Sequence, residues 1–185
     1  VGMIGDALAS SEMPAGMQNV GIKEKLGDTV DQTLQFRNES GELVTLGSLL
    51  HHRKPVVLLM AYYRCPNLCG LFLNGTRDSL QNLYEETKYT LSREFEVVTV
   101  SIDPRETPKL ATQKKKNYID SVAKRHPSLS VSLNSGWHFW INNVDAKSDD
   151  LTVNAHKLAD QVGFGYTYNA KDDQFAHAAA MIILT

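Results

Sequence analysis

Apolar residues recur along this chain at two spacings, and the alternation between them divides it into strands and helices. Residues 1–28 hold neither spacing. Gly2, Gly5, Pro14, Gly16, Gly21 and Gly27 interrupt every incipient period, which predicts a flexible lead-in before a domain over 29–185. Leu34 and Phe36 then alternate with polar neighbours, Asn38-Glu39-Ser40-Gly41 turns the chain, and Leu43 and Leu46 follow, the pattern of a hairpin. Pro55 to Ala61 is a continuous apolar run that suits a strand covered on both faces, and Phe95 to Ile102 is a second. Between them Leu73, Leu80, Leu83 and Tyr84 fall at helical spacing.

Thr107 followed by Pro108 predicts a helix start, with Thr as N-cap and Pro at the first helical position. That helix carries Leu110, Tyr118, Ile119 and Val122 inward. Trp137 to Ile141 reads as a third strand. Ser148, Asp149 and Asp150 open a further helix with Leu151, Ala155, Leu158 and Val162 on its apolar face, and Gly163 stops it. The chain closes on Ala178 to Thr185, a strand-like run taken as buried, with no cap or turn after it. Strands alternating with helices predict an α/β fold around a sheet that is largely parallel at its centre.

Composition narrows the class. The 185 residues are 42% hydrophobic and 22% charged, which excludes intrinsic disorder and a disulfide scaffold. A net charge of −2 gives no global field toward nucleic acid or anionic lipid, so neither is an expected partner. No apolar run reaches the ~20 residues that span a bilayer, and no charged stretch followed by an apolar one marks a signal peptide from Val1 onward. Lys114-Lys115-Lys116 reads as a solvated helix face.

The two cysteines carry the chemistry. Cys65 and Cys69 lie where the first buried strand passes into a helix, and in open α/β sheets ligands sit at such strand ends. If Asn67 caps that helix, Cys69 lies in its first turn, where the helix dipole favours a thiolate, and Arg64 pushes the same way. Residues four apart on a helix have β-carbons ~5–6 Å apart, whereas a relaxed disulfide needs ~3.8 Å. The spacing therefore leans toward two thiolates gripping one soft ion, and a disulfide remains open if Cys65 lies outside the helix. Iron–sulfur clusters and structural zinc want four strong protein ligands, whereas copper accepts two thiolates and an imidazole. Of the six histidines, His177 stands out because it opens the last apolar run and could reach over the sheet end. His51 and His52 sit in a charged turn, His126 at a helix end, His138 within a strand and His156 on a helix flank. Asp103 reads equally as a turn former and as a group orienting the cysteine loop. Met3, Met13 and Met17, whose thioethers can hold Cu(I), read as linker or packing residues.

Cys65-Pro66-Asn67-Leu68-Cys69 after an apolar strand resembles the CPxxC site of the Sco/SenC family. Ser101-Ile102-Asp103-Pro104 resembles its strand-ending signature, and Gly136-Trp137-His138-Phe139 and Phe164-Gly165-Tyr166 resemble segments of its bacterial members. His177 matches that family's single histidine ahead of its last strands. The resemblance implies a thioredoxin-like sandwich, a central mixed sheet flanked by helices with an N-terminal β-hairpin. It implies Cu(I) or Cu(II) held by Cys65, Cys69 and His177, and a metallochaperone that assists assembly of the copper centre of cytochrome c oxidase. The implied partners are the copper-site subunit of that oxidase and a thiol reductant protein. The implied location is the periplasm or outer face of a membrane, reached through an N-terminal tether. Asn67 and Ala176 stand where the family often has Asp, which predicts weaker metal binding. The family continues past this last strand through another strand and a closing helix, so a truncated domain is expected. A different class stays open beside the chaperone: a thiol–disulfide oxidoreductase in which Cys65 and Cys69 are the redox pair acting on cysteines of the oxidase or other extracytoplasmic proteins. Peroxide reduction through a sulfenic acid is a third.

Overall fold

A computed structural model describes residues 19–51, 53–65, 68–142 and 153–185. Its centre is a six-stranded mixed sheet. The hairpin of β2 (Gln35–Arg37) and β3 (Leu43–Thr45) turns through the expected Asn38–Gly41 segment and forms one end of it. A short helix α1 (Gly47–Leu50) follows. The apolar run after Pro55 is β4 (Val56–Ala61), which leads into the long helix α2 (Leu68–Thr87). Then come β5 (Glu96–Ser101), α3 (Pro108–Ala123), α4 (Pro127–Gly136) and β6 (Trp137–Asn142). After α5 (Val153–Val162) the chain forms β7 (Phe164–Asn169), β8 (Gln174–His177) and β9 (Met181–Leu184). Sheet order is β3-β2-β6-β5-β4-β9, with β4, β5 and β6 parallel and β2 and β9 antiparallel to their neighbours.

The three parallel strands are largely buried because both faces are covered, and β4 is apolar throughout. Leu58, Met60, Val98, Val100 and Trp140 pack toward α5, and Leu59, Val97, Trp137 and Phe139 toward α2, α3 and α4. Thr107 caps α3 as its sequence predicts, accepting the Leu110 N–H. The second helix α4, invisible to the apolar period, follows Pro127 and packs so close that a Cβ on Gly136 would lie 2.5 Å from Leu91 Cβ.

Four differences from the sequence reading have physical causes. Within the expected lead-in, Gly21–Ile22 form β1 and pair with Gly165 and Phe164. Gly163 takes φ 70° at the end of α5, and a Cβ there would lie 1.8 Å from Lys23 O, so this segment seats only against glycine. β9 is a half-exposed edge strand and not a buried one: Met181 and Ile183 are exposed while Ile182 and Leu184 face the core. His177 does not open that last run. It ends β8, which pairs with β7 in a separate three-stranded sheet β1-β7-β8, and Ala178–Ala180 lead on to β9. The lysine run is not uniformly solvated either. Lys115 is buried and pairs with Glu39 at the hairpin turn, while Lys116 stays exposed. Ser148, Asp149, Asp150, Leu151, His52, Asn67 and the three N-terminal methionines lie outside the described residues.

Candidate metal centre

β4 ends at Ala61, and its continuation, Tyr62-Tyr63-Arg64-Cys65, turns across the carboxyl ends of β4 and β5. Tyr63 is anchored in the core, its hydroxyl donating toward Thr99 O at 3.0 Å and Trp140 O at 2.8 Å. Cys65 is half-buried and lies before α2; Cys69 sits in the first turn of α2, 1% exposed. The two are not joined in a disulfide, and the Cys69 N–H donates to Cys65 Sγ at 3.4 Å. The hairpin β7–β8 brings His177 over them. Its Nε2 lies 2.9 Å from Cys69 Sγ, and one donor atom from each of Cys65, Cys69 and His177 falls within 4.8 Å of the others.

Hydrogen bonding fixes the imidazole tautomer. Nδ1 lies 2.7 Å from Ala178 O, and a carbonyl can only accept, so Nδ1 carries the proton. Nε2 therefore presents its lone pair to Cys69, whose S–H donates to it in the metal-free chain. Burial holds His177 below the usual imidazole range, against the opposing pull of the Ala178 bond, so the ring stays neutral at pH 7. Burial likewise pushes the Cys69 thiol far above its ordinary range. A Tyr62 backbone hydrogen bond opposes the rise, and Cys65 and Glu106 add to it. The helix start does not make Cys69 a thiolate, because desolvation outweighs the dipole at this depth.

Tyr62 joins the two halves of the group. Its ring meets His177 edge-on at 5.9 Å and Phe175 at 5.5 Å, and its hydroxyl hydrogen-bonds Cys65. Two residues that the sequence did not single out complete the surroundings. Glu106, 5% exposed, accepts the Arg64 N–H at 2.7 Å and the Ser101 hydroxyl at 2.6 Å, so it holds the backbone one residue before Cys65. Arg105 places its guanidinium on Asp103 and on Asp173 at the tip of the β7–β8 hairpin. Asp103 caps its own turn by accepting the Arg105 N–H at 2.9 Å. An isolated acid in a Pro-bounded turn leaves no periodic mark, so neither contact was legible beforehand.

The other described histidines stand elsewhere: His126 beside Glu85, His138 beside Glu96 and His156 beside Asp160, with His51 in the turn after α1. Arg64 is exposed and donates to Arg105 O at 3.3 Å. Two sulfurs and one imidazole nitrogen form a soft donor set. Thiolates ~2.3 Å from one ion lie no more than ~4.6 Å apart, so a spread of 4.8 Å closes on an ion through small side-chain movements.

Comparison with known proteins assigns the class. Residues 23–126, more than half of the chain, match the SCO1/SenC family. The chain belongs to the SCO1/SenC family, and its fold is the thioredoxin-like one of that family. Among solved structures it resembles a protein of Aquifex aeolicus VF5 assigned as an electron transfer protein (TM-score 0.64, 20% identity, 87% of this chain and 79% of that one). It also resembles Arabidopsis thaliana ScoI with copper bound (TM-score 0.61, 16% identity, 85% and 82%). A third is a SCO1/SenC family lipoprotein of Bacillus anthracis str. Ames (TM-score 0.59, 16% identity, 89% and 89%). A search of curated proteins finds no match. Among the described residues no helix is long and apolar enough to cross a membrane.

Proposed function

We propose that this chain binds copper as cargo through Cys65, Cys69 and His177 and assists assembly of the copper centre of cytochrome c oxidase. The observation that carries the reading is the convergence of three soft donors within 4.8 Å, one of them an imidazole nitrogen whose lone pair faces a thiol. Copper seated on a family relative of the same fold supports the choice of ion. Cu(I) binding would release the Cys69 proton to solvent and engage Cys69 Sγ and His177 Nε2, which must move apart from their 2.9 Å contact to admit the ion. The Ala178 carbonyl keeps the ring aimed through its other nitrogen, the second-shell arrangement that metal-bound histidines use. Three ligands leave the ion open to attack by a partner's thiolate or imidazole, which transfer requires. A lipoprotein relative supports a site of action at the outer face of a membrane.

Anaerobic titration of the reduced chain with Cu(I) against a chromophoric chelator tests the reading. It requires one-to-one binding that weakens about tenfold or more in His177→Ala and is abolished in the Cys65→Ser, Cys69→Ser double variant. Binding that survives loss of both cysteines overturns it.

A thiol–disulfide oxidoreductase is the second reading, favoured by one contact. Cys65 is the more accessible sulfur and receives the Cys69 amide N–H from the start of α2. In that reaction Cys65 attacks a target disulfide, and Cys69 then resolves the mixed disulfide, leaving Cys65–Cys69 oxidised and the target with two thiols. A reduction potential near that of thioredoxin, with turnover of a protein disulfide and no Cu(I) retention, distinguishes it.

A further inference from the structure

The strand that carries His177 has no main-chain ladder to the central sheet. β8 pairs with β7, and the order β1-β7-β8 shares no strand with the six-stranded sheet. His177 nevertheless has to be held over Cys69. At the inner end of β8, Phe175 and His177 alternate onto one face and both rest on Tyr62. At the outer end, the Arg105 side chain ties down the tip of the hairpin.

The Arg105 guanidinium reaches two carboxylates with different surroundings. Nε and Nη2 fork onto Oδ1 and Oδ2 of Asp103 at 2.8 and 2.9 Å, and Asp103 is 1% exposed, so this end is fixed to the turn after β5. Nη1 bonds Asp173, which immediately precedes β8. Tyr168, from β7, donates its hydroxyl to the same Asp173 oxygen at 2.7 Å and lays its ring 5.5 Å from the guanidinium. The outer bond faces water: the side chain of Asp173 is 66% exposed.

We infer that Arg105 is a positioning residue for the site, and that its bridge from Asp103 to Asp173 holds the β7–β8 hairpin closed so that His177 covers Cys69. As a statement about metal retention this rests on the ligand set proposed above; as a statement about the hairpin it does not. An ion pair with one end in water is a weak latch. The hairpin is therefore held shut most of the time and released at a rate that ionic strength can change.

The test uses the reduced, metal-free whole chain. Iodoacetamide labelling of each cysteine is followed by mass spectrometry of peptides from wild type, Asp173→Ala and Asp173→Glu, at low and high salt. Asp173→Ala removes the exposed end of the bridge, together with the acceptor of the Tyr168 hydroxyl, and leaves the buried Arg105–Asp103 pair intact. The inference requires Cys69 to label about two- to fivefold faster in Asp173→Ala at low salt, with Cys65 labelling unchanged. It requires Asp173→Glu to restore protection, and high salt to accelerate Cys69 labelling in wild type and not in Asp173→Ala. Equal Cys69 rates in wild type and Asp173→Ala overturn it. So does a joint acceleration of both cysteines with a lowered urea midpoint, which would be general loosening. A chain that binds no Cu(I) but keeps salt-sensitive protection of Cys69 would overturn the proposed function and leave the clamp standing.

Discussion

Glu106 ties the strand-end turn to the cysteine loop, and removing it has a calculable cost. Its Oε1 accepts the Arg64 N–H at 2.7 Å, its Oε2 accepts the Ser101 hydroxyl at 2.6 Å, and the side chain is buried. Glu106→Ala takes away both acceptors. Ser101 keeps an alternative, because its hydroxyl also reaches Asp103 O at 3.2 Å. The Arg64 amide is then the main loss, and an unsatisfied donor of this kind costs about 1–3 kcal/mol. With the lost side-chain packing, Glu106→Ala should lower stability by about 2–4 kcal/mol. Glu106→Gln keeps a carbonyl oxygen for Arg64 and behaves differently with pH. Burial raises the Glu106 carboxyl above its ordinary range, so the folded chain holds this proton more tightly than the unfolded one. The stability that the proton confers is complete below the unfolded value of ~4.3 and is lost as pH rises through the folded value. Glutamine has no such loss, so Glu106→Gln should gain on wild type as pH rises from about 4 to 7.5. Urea unfolding of the three proteins at both pH values reads this directly. An alanine variant as stable as wild type, or a glutamine variant that loses ground on wild type as pH rises, would refute the reasoning.

Three further outcomes follow from the same structure. Cu(I) binding displaces the Cys69 proton, which burial holds tightly, while His177 is neutral near pH 7; the apparent affinity should therefore rise with pH between 6.5 and 8, by at least one proton, in chelator competition at several pH values. Lys115→Met strands the Glu39 carboxylate that also accepts the Phe139 N–H, and should cost about 3 kcal/mol in urea unfolding; Lys116→Met, losing an exposed pair with Asp120, should cost less than about 0.5 kcal/mol. Gly136→Ala drives a Cβ to 2.6 Å from Ser92 N and 2.5 Å from Leu91 Cβ, contacts that backbone must move to relieve, so the denaturation midpoint should fall by an amount equivalent to about 2–3 kcal/mol.

The central strands and the helices between them were legible because burial on two faces writes an unbroken apolar run, as at Val56–Ala61, and a helix between sheet and water writes a period. Thr107-Pro108 was legible because capping is local chemistry. The cysteines declared themselves by residue type and spacing. The elements that went unread are those stabilised from a distance. β1 is two residues held by a glycine contact across the chain, β8 is short and half-buried, and α4 has too many small polar residues to show a stripe. For the same reason His177 was placed at the start of the wrong strand although its proximity to the cysteines was foreseen. The charge state of Cys69 went the other way from the expectation because the helix start is visible in sequence while the depth of burial is not. The contacts of Glu106 with Arg64 and of Arg105 with Asp173 span 42 and 68 residues, which leaves no local pattern.

X-ray absorption at the copper edge of the Cu(I)-loaded, reduced chain reads the donor set itself. Two sulfur donors and one nitrogen donor in the first shell, with the nitrogen lost in His177→Ala, is the result this account predicts. A first shell of nitrogen and oxygen alone, or one unchanged when His177 is removed, would contradict it.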